Sequence, residues 1–117
     1  MTGKKQALGI KGENLAVSYL LNKGFQVIAR NFRCRMGEID IIARSGDYLV
    51  FVEVRTRSQP EYGLAQESIS RAKVNKLRQL AEFYLVRYPQ KGLFIRFDVV
   101  AVNWFADAEI THIENAF

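Results

Sequence analysis

Of its 117 residues the chain spends one on cysteine, one on histidine and two on proline. A lone Cys34 excludes an intramolecular disulfide framework. With only His112 to accompany it, a zinc site built from Cys and His ligands within one chain is excluded too. A metal held by this chain must therefore use carboxylate and carbonyl oxygens, the ligands of a hard cation such as Mg²⁺. Long apolar runs are also missing. No segment approaches the roughly 20 apolar residues of a membrane span, and the N-terminal "MTGKKQALGIKGE" lacks the apolar core of a signal peptide. The expectation is a cytoplasmic protein with no membrane-spanning part. Acids are in the minority, 12 against 17 Lys and Arg, for a net charge of +5. Such an excess favours polyanionic partners, nucleic acid or an anionic membrane surface.

What is present is an ordinary globular mixture, 49% apolar and 25% charged. At this length it predicts one domain, residues 1–117, with a single core. Residues 4–23 read as a helix whose stripe is Leu8, Gly12, Leu15, Ala16, Tyr19 and Leu20. Lys23 and Gly24 are its stop signals. Gly9 and Gly12 each weaken a helix by about 1 kcal/mol relative to Ala, which makes sense where another backbone packs close. Glu13 falls at the border of the stripe. Strands are predicted over 25–33, 38–44 and 49–56, then an irregular, flexible loop over 57–68 holding Pro60 and Gly63. A second helix over 69–88 has Val74, Leu77, Ala81 and Tyr84 or Leu85 on its apolar stripe. Its other faces carry Arg71, Lys73, Lys76, Arg78 and Arg87 against the single acid Glu82. Strands over 93–103 and 109–114 complete the order α-β-β-β-α-β-β, an α/β fold.

The segment "GEIDIIARSGDYLVFVEVRTR", residues 37–57, is the most informative. A two-residue turn at Gly46-Asp47 suits a type II′ hairpin and sets Asp40 opposite Glu53, Glu38 opposite Arg55 and Ile42 opposite Phe51. The period of two then gives a core face of Ile39, Ile41, Ala43, Val50, Val52 and Val54. The other face holds Asp40, Ile42, Phe51, Glu53 and Arg55, apolar near the turn and charged at the far end. Like charges opposed across a sheet are destabilising. A cation, an arginine or a raised carboxyl pKa must offset them. A divalent metal does so well, and ordinary ion pairs with Arg55, Arg57, Arg44 or Arg35 are the alternative.

Asp40, twelve intervening residues, then Glu53-Val54-Arg55 resembles the D…(D/E)-X-K motif of the restriction-endonuclease-like, PD-(D/E)XK, nucleases. An upstream helical acid, Glu13, sits where archaeal Holliday junction resolvases carry one. The segments "GIKGENLAVSYLLNKGF", "RNFRCRMGEIDIIA", "LVFVEVRTR", "RFDVVAV" and "HIENAF" are similar to the YraN family of bacterial proteins, predicted endonucleases. They cover most of the chain. The resemblance implies a restriction-endonuclease-like core, a mixed β-sheet flanked by helices, and a Mg²⁺-dependent endonuclease acting on DNA, branched or damaged DNA included, with Mn²⁺ as an alternative ion. It implies that Asp40 and Glu53 hold the ion with the Val54 carbonyl, and that Glu13 supports them. A homodimer is carried as an expectation from the resolvases alone.

The motif calls for Lys at position 55, and the chain has Arg55. Arg stays charged in proteins, so it is excluded as a general base. It can orient water or stabilise charge on phosphorus. Two other readings follow: a nucleic-acid-binding module without cleavage, and an adaptor that binds another protein. Lys73, Lys76 and Arg57 are candidate phosphate contacts, and Gln66 and Tyr62 candidate contacts in the loop. Arg96 and Asp98 read as a structural ion pair. His112, alone on a weak strand, reads as structural, and Cys34 as a packing residue. Trp104-Phe105 reads as core or as an exposed patch.

Overall fold

The computed structural model describes residues 2–117, with side chains described from Gln6 onward. Helix α1 spans Thr2–Asn22, and three strands follow: β1 (Gln26–Cys34), β2 (Gly37–Ser45) and β3 (Tyr48–Arg57). Helix α2 (Arg71–Arg87), β4 (Phe94–Trp104) and β5 (Ala108–Ile113) complete the chain. The five strands form one mixed sheet in the order β1-β2-β3-β4-β5. Only β3 and β4 are parallel, and α2 supplies the crossover that a parallel connection needs. The expected α/β class and element order are observed.

Glycine at two places explains two boundaries. Gly24, at φ 90°, ends α1 in a Schellman motif: its N–H bonds Leu21 O, and the Phe25 N–H bonds Leu20 O at 2.9 Å. Leu20 and Phe25 then share one core. Gly46 has φ 58° while Asp47 is not in the left-handed region, the signature of the type II′ turn. The turn fixes the register Ser45↔Tyr48 through Ile41↔Val52, as the sequence predicts.

The sheet has a core on each face, where one core was expected. Ala16, Leu20 and Phe25 pack with Ile41, Ala43, Val50, Val52 and Val100 on the α1 side. Leu77, Leu80, Ala81 and Tyr84 of α2 pack with Ile39, Ile42, Leu49 and Phe51 on the other. Ile42 and Phe51 are therefore fully buried. Ile39 lies on the opposite face from Ile41, against the expectation of a shared face. Alternation breaks between them, at Asp40. It breaks in β1 at the same rung. Ala29↔Ile42 and Phe32↔Ile39 both face α2, with Arg30↔Ile41 between them. Asn31, opposite Asp40 by these flanking pairs, has φ 52°. Because both strands lose the same step, their register survives the irregularity.

Two further expectations change. Residues 57–68 are not simply irregular: they contain short 3₁₀ turns at Pro60–Tyr62 and Ala65–Ser68. Buried Ala65 donates its N–H to Asn103 Oδ1 at 2.7 Å, anchoring the second half to β4. Gly12 is packed as expected, but against the Thr56 side chain rather than backbone, whereas Gly9 faces open space.

Candidate functional site

The parity break turns Asp40 toward α1. One oxygen each from Glu13, Glu38 and Asp40 lie within 4.8 Å of one another. The β2–β3 ladder stops at Ile41↔Val52, so Asp40 and Glu53 are not a ladder pair. Instead the Val54 N–H donates to Asp40 Oδ2 at 2.8 Å. Glu53 is close enough for its charge to act on the Asp40 carboxyl. Four acids from α1, β2 and β3 thus converge at one end of the hairpin.

Their electrostatics follow from burial. Loss of water, with Glu53, Glu13 and Glu38 adding repulsion, pushes the Asp40 carboxyl up from 3.8 to about 7 despite the Val54 N–H. Burial also raises Glu53, against the pull of Arg55 and Lys73. A carboxyl held near neutrality is one that a cation would ionise.

Each remaining acid has a cationic partner. Glu13 Oε1 accepts from Arg30 Nη2 at 3.0 Å and from Asn31 Nδ2 at 3.0 Å. Arg33 Nε donates to Glu38 at 2.7 Å. Arg55 donates through Nε to Ser68 Oγ at 2.8 Å and reaches Glu53 at 3.5 Å. The acids open onto a cleft of about 1500 Å³ between the first half of α1 and the strand ends, lined also by Lys11, Arg30, Arg33, Arg55, Arg57 and Tyr62. An acidic floor with a basic wall is the electrostatic pattern of a site for a metal and a polyanion together.

Of the residues picked out from sequence, Asp40, Glu13, Val54, Arg55 and Arg57 line this cleft. Glu53 acts on Asp40 but is not among the residues lining the cleft. Lys73 acts on Glu53 from α2. Lys76, exposed on α2, is not among the residues lining the cleft. Gln66 is turned away from it: its Oε1 accepts from Asn103 at 2.9 Å. Val54 enters through its N–H. Glu38, Arg30 and Asn31 were missed as site residues. Glu38 and Asp40 are two apart on one strand, a spacing that suggests a shared face.

A second polar cluster lies elsewhere in the sheet. Fully buried Asp98 receives two bonds of 2.9 Å from Arg96, one of 3.0 Å from the Asn115 N–H, and pairs with His112 Nε2 at 2.7 Å. Among the described residues no buried side-chain polar atom lacks a partner, which marks this network as a structural clamp. The expected Arg96–Asp98 ion pair is present, and His112 joins it.

Fold and site together define a small α/β protein with a five-stranded mixed sheet and an acid cluster at the floor of a basic cleft. Residues 12–102 match the uncharacterised protein family UPF0102. The chain belongs to that family, the YraN family its motifs suggest. A UPF0102 protein of Pelotomaculum thermopropionicum is 46% identical over 120 residues, covering 100% of both chains. One of Persephonella marina is 45% identical over 109 residues, 93% of this chain and 91% of the relative. One of Geobacter sulfurreducens is 45% identical over 112 residues, 94% and 88% of the two. Among the described residues no helix is long and apolar enough to cross a membrane.

Proposed function

We propose that the chain is a Mg²⁺-dependent DNA endonuclease, a single cytoplasmic domain of restriction-endonuclease-like type that hydrolyses phosphodiester bonds. One observation carries the reading: Asp40, held near neutrality by burial and three neighbouring acids, lies in a cleft whose walls carry Lys and Arg. The donor set is all carboxylate oxygen, which suits Mg²⁺ or Mn²⁺. Asp40, Glu13 and Glu38 would hold the ion, with Glu53 and the Val54 carbonyl as the further candidates from the motif. When bound, the ion would supply a nucleophile at neutral pH and offset charge on the scissile phosphate. The Val54 N–H fixes the Asp40 carboxyl. Arg55, always charged and steadied by Ser68, stabilises negative charge developing on phosphorus. Lys11, Arg30, Arg33 and Arg57 bind flanking phosphates, and Lys73 and Lys76 extend that contact along α2.

The test is incubation of purified protein with linear, branched and single-stranded DNA in Mg²⁺ and in Mn²⁺. Cleavage of at least one substrate is expected, abolished in Asp40→Ala and in Glu53→Ala. Intact DNA under every condition would overturn the reading. Paired cuts in branched DNA would call for a homodimer, read from the sedimentation of the active species.

A second reading, a module that binds nucleic acid without cutting it, is favoured by Arg55, which lacks the proton chemistry of lysine. Arg55→Lys decides between them. Cleavage that appears only in this variant, while the wild type binds DNA with salt-dependent affinity, establishes the binding module.

A further inference from the structure

Glu13 belongs to α1, yet little on α1 fixes its carboxyl. The hydrogen bonds it receives come from β1: Arg30 and Asn31 both donate to Oε1. Arg30 is long, half-exposed and shared with Asn14. Asn31 is short, and its backbone is committed. It stands at φ 52° inside a strand, a conformation that most residues resist and that Asn tolerates best after Gly. The same turn of backbone is where β1 changes parity, at the rung that β1 shares with Asp40. With Arg30 already facing α1, an ordinary extended residue 31 would point toward α2. In the left-handed conformation its carboxamide reaches Glu13 instead.

We propose that Asn31 is the positioning residue of the acid cluster. Its left-handed backbone and its Nδ2 bond to Glu13 hold Glu13 against Asp40 and Glu38. This rests on the metal-binding part of the proposed function and adds a residue that the motif does not contain. Asn31 lines the cleft but supplies no carboxylate to the cluster. It acts through Glu13, as groups that orient metal ligands do, and loss of such a group costs about 10–100-fold in metal affinity.

The probe is Mn²⁺ alone, titrated into the full chain and followed by electron paramagnetic resonance of the free ion. Asn31→Gly keeps access to positive φ and removes only the carboxamide. It should bind Mn²⁺ about tenfold more weakly, with an unchanged urea midpoint in EDTA. A double-mutant cycle gives the readout that a general structural role would not move. If Asn31 acts through Glu13, then adding Asn31→Gly to Glu13→Ala should cost no further affinity. Equal binding by Asn31→Gly and wild type overturns the proposal, as does an additive double variant. Wild-type protein that takes up no Mn²⁺ overturns both this inference and the metal site beneath it. Should Asn31→Gly lose its fold, Asn31→Asp, which keeps the backbone preference and removes the amide donor, takes its place in the cycle.

Discussion

Asp40→Asn should make the metal-free protein more stable, and increasingly so as pH rises. The folded state keeps the Asp40 proton up to about pH 7, whereas the unfolded chain releases it near the ordinary value of 3.8. Between those values the unfolded state binds fewer protons, so stability falls with rising pH. Over the whole interval the difference corresponds to roughly 4 kcal/mol at 1.36 kcal/mol per pH unit. The part lying between pH 5 and pH 8 is about 2–3 kcal/mol. Asparagine has no titration there, and its carbonyl still accepts the Val54 N–H that Asp40 Oδ2 accepts at 2.8 Å. The assay is urea unfolding of both proteins in EDTA at pH 5, 6.5 and 8. The stability gap in favour of the variant should widen by about 2–3 kcal/mol across the series. A gap that stays flat or narrows would refute the reasoning. Mn²⁺ at pH 8 should stabilise wild type and leave Asp40→Asn nearly unmoved, because the variant lacks the anion that the ion relieves.

Four other substitutions test the frame around the site. Gly12→Ala forces a methyl onto Thr56 and should lower stability by about 1–3 kcal/mol in urea unfolding, while Gly9→Ala, facing open space, should raise it by up to about 1 kcal/mol. Asp98→Ala removes the buried acid that Arg96 and His112 share, leaving Arg96 only the 3.9 Å contact with Glu114 and His112 only Lys23, and should cost about 3–5 kcal/mol. Burial raises Asp98, but the bonds from His112, Arg96 and the Asn115 N–H outweigh it and hold the carboxyl below its ordinary range. Its contribution is therefore complete above the unfolded pKa of 3.8 and lost as pH falls through the lower folded value. The acid limb of the wild-type stability profile should flatten in the variant. Asn103→Ala removes the acceptor for the buried Ala65 N–H, at about 1–3 kcal/mol locally, and should speed subtilisin cleavage within residues 58–68 with little change in global unfolding.

The hairpin register was legible because it rests on local chemistry. Gly46 takes the one left-handed position that the turn requires, and Ile41 through Val52 follow by counting. Elements and their order were legible from apolar periodicity for the same reason. The site was only half legible. Counting by twos set Asp40 across from Glu53, but it assumes unbroken alternation, and alternation fails at this rung. Nothing in the apolar pattern announces that. The trace it leaves is Asn31, a residue of low β-propensity between Arg30 and Phe32 and one that tolerates positive φ. The Asn103 partner of Gln66 was not legible for a different reason. A loop residue's partner depends on what lies near it in space, and Asn103 is 37 positions away.

The break at Asp40 also gives Asp40 and Glu53 different surroundings. Alternation continued from Ile41 would set Asp40 on the α2 face beside Glu53. Instead Asp40 turns to Glu13 and Glu38, while Glu53 stays with Arg55 and feels Lys73 of α2. Asp40 is therefore the single carboxyl common to an acid-rich side and a cation-rich side. Neutralising Glu53 should relax Asp40 only in part, since burial leads its shift and Glu13 and Glu38 add to it. In Glu53→Gln the Asp40 carboxyl resonance, followed by NMR against pH, should titrate below the wild-type midpoint of about 7 and above 3.8. A midpoint at the ordinary aspartate value would show that Glu53, and not burial, keeps Asp40 protonated.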